Sequence, residues 1–386
     1  MNQVKDTEPS QNIFSKIVHD SRSVGVILIV CTIISLLISN GSFGDAYLSF
    51  WNTKNEGINL LPESLLLVVN DVLMAFFFFM VGLEIKREMK IGELSSLKRA
   101  SFPIFAAIGG VLIPALVYMF FNAGNPETSH GWGVPMATDI AFALGILALI
   151  GSRAPVGLKI VLAALAIIDD LMAIIVIALF YTDHISMMYL MLALAIVAIL
   201  VIMNLKKVMN TPLYLVLGVV LWFFMFNSGV HATLAAVILA LTIPMPKVPF
   251  LEKKLHVPVS FIVLPLFALA NTAIQFPGEF GEALNSNVSH GIMAGLMLGK
   301  PLGILLIPLI MVKLGISSLP KGVEWKHILG MGLIAGIGFT MSIFISDLAF
   351  TDAYHKDIAK ISVLIASTFS AVVGVVYLSI VGKKKA

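Results

Sequence analysis

Long apolar stretches alternate with short polar loops along almost the whole chain. A membrane-spanning helix needs about 20 mostly apolar residues, and twelve stretches are candidates for such helices. Numbered from the N-terminus, these predicted spans cover residues 24–39, 64–85, 101–121, 136–150, 158–181, 186–204, 212–227, 230–243, 257–275, 289–312, 327–350 and 359–381. The pattern predicts an all-α polytopic membrane protein that forms one integral-membrane domain over residues 1–386. Residues 1–22 are polar and are expected to be a cytoplasmic tail before an uncleaved first span.

Composition agrees with this pattern. Hydrophobic residues make up 59% of the 386 positions and charged residues only 12%, and the mean hydropathy is +0.98. Almost nothing remains for a soluble domain, which argues against a receptor, a membrane-anchored enzyme or a nucleic-acid-binding protein. Cys31 is the only cysteine, so no intramolecular disulfide is possible.

The basic residues indicate an orientation. Twenty-one of the 25 lysines and arginines fall in loops on the N-terminal side of the predicted spans. Lys54, Lys356 and Lys360 are assigned to the other side, and Lys300 lies within a span. The positive-inside rule therefore predicts that both termini are cytoplasmic. The longest external loop, residues 40–63, carries two short apolar-aromatic runs among glycines and asparagines and could form a small β-hairpin.

Five ionisable residues lie too deep in predicted spans to reach an interface. They are Asp71 in span 2, Asp139 in span 4, Asp169 and Asp170 in span 5, and Lys300 in span 10. Each costs on the order of 2.5–3.5 kcal/mol to insert, so each indicates a function. Adjacent helical positions point about 100° apart, so Asp169 and Asp170 are expected to have different roles. The alternative is a structural, hydrogen-bonded pair that holds helices together.

Span 4 is short, opens after Pro135, and carries Thr138 next to Asp139. Non-helical backbone at membrane depth is tolerated only where it is buried or lines a cavity. The Thr138 hydroxyl and the Asp139 carboxylate are hard oxygen ligands suited to a small hard cation. A threonine hydroxyl bonded back to its own helix is the competing interpretation of Thr138.

Span 11 has a matching defect, because glycines are dense through Gly336 and Gly338. Such glycines can also mean close helix packing. Two interrupted spans at corresponding positions in two halves of a chain, however, indicate a transporter site. Spans 3–5 and 10–12 enter the membrane from opposite sides, which predicts an inverted repeat with spans 4 and 11 as its interrupted helices.

Lys300 has about ten apolar residues before it and a dozen after it, too many for its ammonium group to reach an interface. It must lose its proton or pair with a carboxylate, and Asp169 or Asp170 is the natural partner. A lysine that acts only as a static counter-ion remains the alternative.

Five segments together resemble the motifs of the bacterial NhaA sodium/proton antiporters, and the resemblance covers nearly the whole chain. They are Ala137–Gly145, Ala166–Leu171, Ser228–Leu234, Gly299–Gly303 and Gly336–Ile345. The resemblance implies that Asp169, Asp170 and Thr138 bind sodium or lithium. It also implies that the broken spans 4 and 11 cross near mid-membrane and that Asp139 compensates charge at the crossing. The same resemblance implies that Lys300 pairs with Asp169 and that two protons are exchanged per ion.

The resemblance further implies a transporter without a cofactor, in a bacterial inner membrane, whose partners are Na⁺, Li⁺, H⁺ and lipid. A homodimer joined by the loop at residues 40–63 is expected. A pH-sensing region at the cytoplasmic face is expected to include Glu84, Arg87, Glu88, Glu252 and His256. His231, at the external end of span 8, could contribute because histidine titrates near neutrality, or it could simply bond a loop.

Two other classes of protein use charged groups inside the membrane. An intramembrane aspartyl protease needs two carboxylates on facing helices that share a proton, whereas Asp169 and Asp170 diverge from one helix. A retinal protein uses a mid-membrane lysine with aspartate counter-ions, but twelve spans with two interruptions do not suit it. The sequence therefore favours cation/proton exchange over both.

Overall fold

The computed structural model describes residues 21–54, 62–182, 185–276 and 280–382. In this part of the chain, nine helices are long and apolar enough to cross a membrane, and two bent helix pairs could each form one further span. The prediction of an all-helical membrane protein is confirmed. The helix that corresponds to predicted span 8, Thr233–Thr242, has only ten residues, so the total of twelve spans stays a prediction.

The helices are named here by the predicted spans to which they correspond. Spans 1, 3, 5, 6, 7, 8 and 12 are single helices, at Ser21–Ser39, Leu97–Asn122, Val156–Phe180, Met187–Leu205, Thr211–Ser228, Thr233–Thr242 and Ala353–Val381 in that order. Spans 2, 9 and 10 each consist of three consecutive helical segments: Leu65–Leu67, Val68–Leu73 and Met74–Ile91 in span 2; Val248–Pro258, Val259–Val263 and Leu264–Asn271 in span 9; and Asn287–Ala294, Gly295–Gly299 and Lys300–Lys313 in span 10. Spans 4 and 11 are interrupted, with Pro126–Ser129, His130–Met136 and Ile140–Ile150 in span 4 and with Trp325–Ala335 and Phe339–Ala349 in span 11. Short 3₁₀ turns lie at Glu93–Ser95, Gly151–Arg153 and Met245–Lys247, and a short helix at Phe280–Leu284.

Polar side chains cap several of these helices. Ser64, Asn210, Ser286 and Asp352 each accept a hydrogen bond from a backbone N–H in the first turn of the helix that follows. Such caps satisfy donors that have no partner within the helix. Three spans also contain a π-helical segment, at Val68–Leu73, Val259–Val263 and Gly295–Gly299, and π segments are frequent at functional sites.

Two stretches expected to be loops are helical. Span 4 was expected to start near residue 136, but a preceding half, Pro126–Met136, joins it at an angle of 43°. Proline at the start of that half and two glycines within it made it look like a loop. Glu252–His256 was expected to lie in a loop and instead belongs to helix Val248–Pro258. That helix is amphipathic, with Val248 and Leu251 buried, so its charged residues interrupt the apolar pattern without ending the helix.

The external loop departs from the expected hairpin. Its first apolar run lies in an α-helix, Gly44–Trp51, whose aromatic residues pack on each other. The second run falls at residues 58–61, outside the described residues. The described part of the loop contains one isolated antiparallel bridge, between Lys54 and Ser64.

The spans pack as two groups. Spans 3, 4, 5, 10, 11 and 12 form one group, called here the core group, and spans 2, 6, 7, 8 and 9 form the other, the panel group. Span 1 lies between them and contacts span 9 as well as the second half of span 4. Spans 3 and 10 approach most closely at Gly109 and Gly303, where a Cβ atom on Gly303 would lie 2.0 Å from the Gly109 carbonyl oxygen. Only glycine allows this contact, which holds span 10 and its lysine against span 3.

The two ends of the bundle differ in charge. The end that carries Lys86, Arg153, Lys206 and Lys253 is called the basic face, and it is the end expected to be cytoplasmic. The other end is called the opposite face. Between them the outer surface is apolar, with Leu116, Phe120 and Ile380 among its exposed side chains, as expected for a surface in contact with lipid tails.

Candidate functional site

The breaks in spans 4 and 11 contact each other. Span 4 is interrupted between Met136 and Ile140, and span 11 between Ala335 and Phe339, where the two halves are bent by 50°. The Asp139 backbone N–H donates a hydrogen bond of 2.8 Å to the Ile337 carbonyl oxygen. The breaks expected from Pro135, Gly336 and Gly338 therefore place four helix ends around one point.

Asp139 lies at the N-terminal ends of both second halves. Its Oδ1 accepts from the Phe142 N–H at 2.9 Å, and its Oδ2 accepts from the Thr340 N–H at 3.1 Å and the Thr340 hydroxyl at 2.6 Å. A helix N-terminus carries partial positive charge and favours an anion. Asp139 is thus placed to compensate two positive helix ends, and its three hydrogen bonds leave it little freedom to turn elsewhere.

The C-terminal ends of the two first halves meet cationic or polar groups. The Lys300 ammonium group donates to the carbonyl oxygen of Met136, and the Thr138 hydroxyl donates to that of Ala335 at 3.1 Å. Carbonyl groups at these ends have no partner within the helix and carry partial negative charge. A cation is favoured at this position, where the structure places the ammonium group.

Lys300 also pairs with Asp169. Their Nζ and Oδ2 atoms are 2.7 Å apart, and neither side chain is exposed to solvent. The same Oδ2 accepts a hydrogen bond from the Thr138 hydroxyl at 2.7 Å. Thr138 therefore bonds Asp169 in span 5 and a carbonyl in span 11, and makes no bond back to its own helix. The geometry favours the site interpretation of this threonine over the local one.

Asp170 is 1% exposed and lies one helical position from Asp169. Among the residues that the structure describes, Oδ1 of Asp169 and Oδ1 of Asp170 accept no hydrogen bond. A buried polar atom without a partner is costly, so it indicates a ligand or a proton that binds there. With the Thr138 hydroxyl, these oxygens form the kind of hard donor set that small alkali cations prefer.

A cavity of about 680 Å³ opens from the basic face toward this centre. The start of the second half of span 4, Ile140 and Ala141, forms part of its wall. Four of the residues expected to sense pH also line it: Glu84, Arg87, Glu252 and His256. The cavity therefore lies beside the break of span 4 and among titratable groups.

Arg87 joins the acidic residues of this cavity. Its Nε atom lies 2.9 and 3.2 Å from the two carboxylate oxygens of Glu252, and its Nη1 lies 2.8 Å from Glu88 Oε1. Glu88 does not line the cavity but is held next to it by this contact. Five of the six predicted pH-sensing residues are therefore neighbours, across spans 2 and 9.

His231 and Asp71 lie apart from both clusters. His231 is near the opposite face, where its Nε2 atom is 2.6 Å from the Tyr181 carbonyl oxygen, which fits the loop-bonding alternative. Asp71 lies in the π segment of span 2 near the same face, and its carbonyl oxygen accepts a hydrogen bond from the Trp222 indole. The structure does not bring either residue to the central carboxylates.

Several polar contacts between spans were not expected from the sequence. Thr340 lies in the motif Gly336–Ile345 but was not assigned to the site, although it bonds Asp139 directly. Lys360 was assigned to the external side, yet it forms an ion pair of 2.7 Å with Asp347, and both side chains are largely buried. Span 12 starts at Ala353, six residues before its predicted start, because Lys356 and Lys360 made its first turns look like a loop.

Comparison with known proteins adds independent information. The family model "Na+/H+ antiporter 1" matches residues 15–378. The chain is similar to the Na⁺/H⁺ antiporter NhaA 2 of Flavobacterium johnsoniae, with 47% identity over 97% of this chain and 94% of the relative. It is also similar to the NhaA antiporter of Dechloromonas aromatica, with 49% identity over 95% of each chain, and to that of Escherichia coli, with 47% identity over 93% of this chain and 95% of the relative.

The fold resembles a solved structure as well. The sodium/proton antiporter MjNhaP1 from Methanocaldococcus jannaschii matches 92% of this chain and 90% of its own, with a TM-score of 0.50. The identity is 13%, so this likeness concerns the fold alone.

Proposed function

The chain belongs to the Na⁺/H⁺ antiporter 1 family, and from this premise we propose that it exports sodium or lithium in exchange for protons at Asp169 and Asp170. The observation that carries the proposal is the pair of buried carboxylates, each with one oxygen that has no hydrogen-bond partner among the described residues. The names of the relatives support sodium/proton exchange, and the geometry of the two carboxylates supports one shared site. Such exchange is the activity of a transporter and not of an enzyme.

Competition for the carboxylates provides the coupling. A carboxylate binds either a proton or a cation through the same oxygens, so a site built from Asp169 and Asp170 holds protons or a sodium ion but not both. At alkaline cytoplasmic pH the carboxylates ionise and bind the cation, with the Thr138 hydroxyl as a further ligand. On the external side, where protons are more abundant, protonation releases the cation.

The proposed stoichiometry is one cation for two protons. One net positive charge then enters per cycle, and the membrane potential contributes about 2.3 kcal/mol per 100 mV. The second proton is carried either by Asp169 or by Lys300, whose ion pair must separate when Asp169 binds the cation. A coupled pair of this kind titrates in steps whose pKa values belong to the pair and not to either residue, so only variants can separate the two roles.

The cluster at the basic face is proposed to regulate the exchange. Glu84, Arg87, Glu252 and His256 line the cavity through which an ion approaches the site. A change in their protonation alters the charge of that cavity, and hence the local concentration of cations. Activation at alkaline pH follows, because loss of protons makes the cavity more negative.

The remaining features of the proposal concern the membrane. We place the protein in a bacterial inner membrane with both termini cytoplasmic, because basic residues are concentrated at one face. A homodimer that involves the external loop at residues 40–63 is proposed from the same family resemblance. No cofactor is required for ion exchange, and the partners are the transported ions and lipid.

Reconstitution tests the substrate. Purified protein in liposomes that carry a proton gradient should dissipate the gradient when sodium or lithium is added, as read by a pH-sensitive dye. Potassium at the same concentration is the control for a non-specific leak. Dissipation by potassium but not by sodium or lithium would overturn the proposed cation.

A further inference from the structure

A second buried polar cluster lies near the opposite face, away from the central carboxylates. The Asn70 and Asn271 side chains bond each other through both amides, at 2.7 and 3.2 Å. The Asn70 amide nitrogen also donates to Asp347 Oδ2 at 3.2 Å, and Asp347 Oδ1 pairs with Lys360 at 2.7 Å. Asn70, Asn271 and Lys360 are all less than 9% exposed, so this chain of contacts is largely shielded from water.

The cluster connects the two groups of helices. Asn70 in span 2 and Asn271 in span 9 belong to the panel group, whereas Asp347 in span 11 and Lys360 in span 12 belong to the core group. Within the cluster, the hydrogen bond from Asn70 to Asp347 is the contact that crosses between the groups. Lys360 holds the accepting carboxylate in place, and Asn271 holds the donating amide.

Spans 2 and 9 are separated from span 4 at the basic face. The cavity of about 680 Å³ lies between Phe77, Met80 and Glu84 of span 2, Ser260 and Leu264 of span 9, and the second half of span 4 in the core group. Span 2 also contacts span 11 through the Phe78 and Phe344 rings, whose centroids are 5.4 Å apart. Spans 2 and 9 are thus separated from span 4 by a cavity toward the basic face, whereas the Asn70–Asp347 hydrogen bond joins span 2 to span 11 near the opposite face.

We propose that the Asn70–Asp347 contact, with Asn271 and Lys360 as its supports, is a gate that closes the ion pathway toward the opposite face. The inference rests on the proposed exchange function, because an exchanger must expose one site to the two sides in turn. Transporters of this kind do so largely by rigid-body movement of one group of helices against the other. Opening toward the opposite face then requires the hydrogen bond between Asn70 and Asp347 to break. Asn271 moves together with Asn70 in the panel group, and Lys360 moves together with Asp347 in the core group.

Cross-linking tests whether the gate must separate. The test protein carries Cys31→Ser, Asn70→Cys and Asp347→Cys, with Lys360→Met so that no lysine is buried without its carboxylate. Oxidation of this gate pair should reduce sodium-driven proton flux in liposomes to about a tenth or less, and a reducing agent should restore it. The matched control is Asn70→Cys with Asn271→Cys, also with Cys31→Ser, which links two panel spans and should keep its flux after oxidation.

The outcomes of this experiment distinguish failure of the gate proposal from failure of the proposed exchange function. Normal flux from a fully cross-linked gate pair would refute the gate and leave the exchange function intact. Absence of sodium-dependent proton movement in the unsubstituted protein would refute the proposed exchange itself. Equal loss of flux in the oxidised gate pair and in the oxidised control would also count against the gate, since the control bond does not join the two groups.

A second measurement needs no cysteines. Asp347→Asn with Lys360→Met weakens the gate without leaving an unpaired charge, so it should favour the conformation open to the opposite face. Apparent affinity scales with the population of the competent state. The apparent KM for sodium should therefore rise at the basic face and fall at the opposite face, by about threefold each. A change in the same direction at both faces, or no change at either, would contradict the proposal.

Discussion

The Thr340 hydroxyl donates a hydrogen bond of 2.6 Å to Oδ2 of Asp139, and this contact joins the second halves of the two broken spans. Because the Asp139 carboxylate also caps both half-helices, one side chain sets the relative position of spans 4 and 11. Thr138, directly before Asp139, is thereby held beside Asp169. The position of a proposed sodium ligand thus depends on a threonine that is not itself among the proposed ligands.

Thr340→Val should weaken sodium binding without removing any proposed ligand. Valine has nearly the same shape but removes the hydroxyl donor, so Oδ2 of the buried Asp139 carboxylate keeps only the backbone N–H of residue 340, at a cost on the order of 1–3 kcal/mol. The expected result is a roughly five- to tenfold rise in the apparent KM for sodium, measured as sodium-driven proton flux. Thr340→Ser, which keeps the hydroxyl, should stay near normal, as should Thr368→Val, whose hydroxyl bonds only its own helix.

Asp170→Asn should abolish exchange while the protein still inserts and folds, because an amide of nearly equal size carries neither the charge nor the proton. The measurement is sodium-dependent proton movement in liposomes. Asp71→Asn is the matched control, since it neutralises another intramembrane aspartate that lies outside the central site. Near-normal exchange by the Asp170 variant would place the ion site elsewhere.

Lys300→Gln separates a proton carrier from a static counter-ion. If Lys300 carries a proton in each cycle, the variant should exchange one proton for one cation, and flux should no longer respond to a clamped membrane potential. If the lysine only pairs with Asp169, its removal leaves a buried charge unpaired, and stability should fall by about 3–5 kcal/mol while surviving protein stays electrogenic. Flux with and without the clamp, together with a melting curve, distinguishes the two.

Lys300→Arg sharpens this comparison. Arginine keeps the charge and the pairing but essentially never releases its proton. We favour the carrier role and expect the arginine variant to lose electrogenic exchange. Normal stoichiometry in that protein would rule the carrier role out.

Glu252→Gln should shift activation to more alkaline pH. The substitution removes one anion from the cavity at the basic face and leaves Arg87 without the partner that lies 2.9 Å away. A less negative cavity attracts fewer cations at each pH, so the remaining groups must lose more protons before exchange is activated, and activation should move by about half a pH unit or more. The measurement is exchange rate against pH at sodium concentrations below saturation. Lys254→Gln, on the same helix but exposed, is the control and should leave the profile in place.

Gly303→Ala should destabilise the protein. The added Cβ would lie 2.0 Å from the Gly109 carbonyl oxygen, so spans 3 and 10 must move apart, at a cost of about 1–3 kcal/mol. A lower melting temperature and a reduced sodium affinity are expected together, because span 10 carries Lys300. Gly25→Ala is the control, since a Cβ there meets nothing within 4 Å; an unchanged melting temperature in both variants would contradict the packing argument.

The sequence by itself determined that the protein is helical and lies in a membrane, because apolar runs of about 20 residues have no other stable environment. It also identified Asp139, Asp169, Asp170 and Lys300, since charge in such a run is too costly to be incidental. Helix ends were less certain. The helix around Glu252 and the start of span 12 were misplaced because polar groups weaken the apolar signal. The first half of span 4 was missed because its proline and glycines are typical of a loop.

Only the tertiary structure decided which side chains meet. Thr340 with Asp139, Asn70 with Asp347 and Lys360 with Asp347 are contacts between different spans, and nothing local in the sequence specifies them. Tertiary packing also decided that Lys360 is buried and that Gly44–Trp51 is a helix and not a strand. The local hydropathy pattern indicates whether a residue lies inside the membrane. The residue that it contacts depends on how helices far apart in the chain pack together.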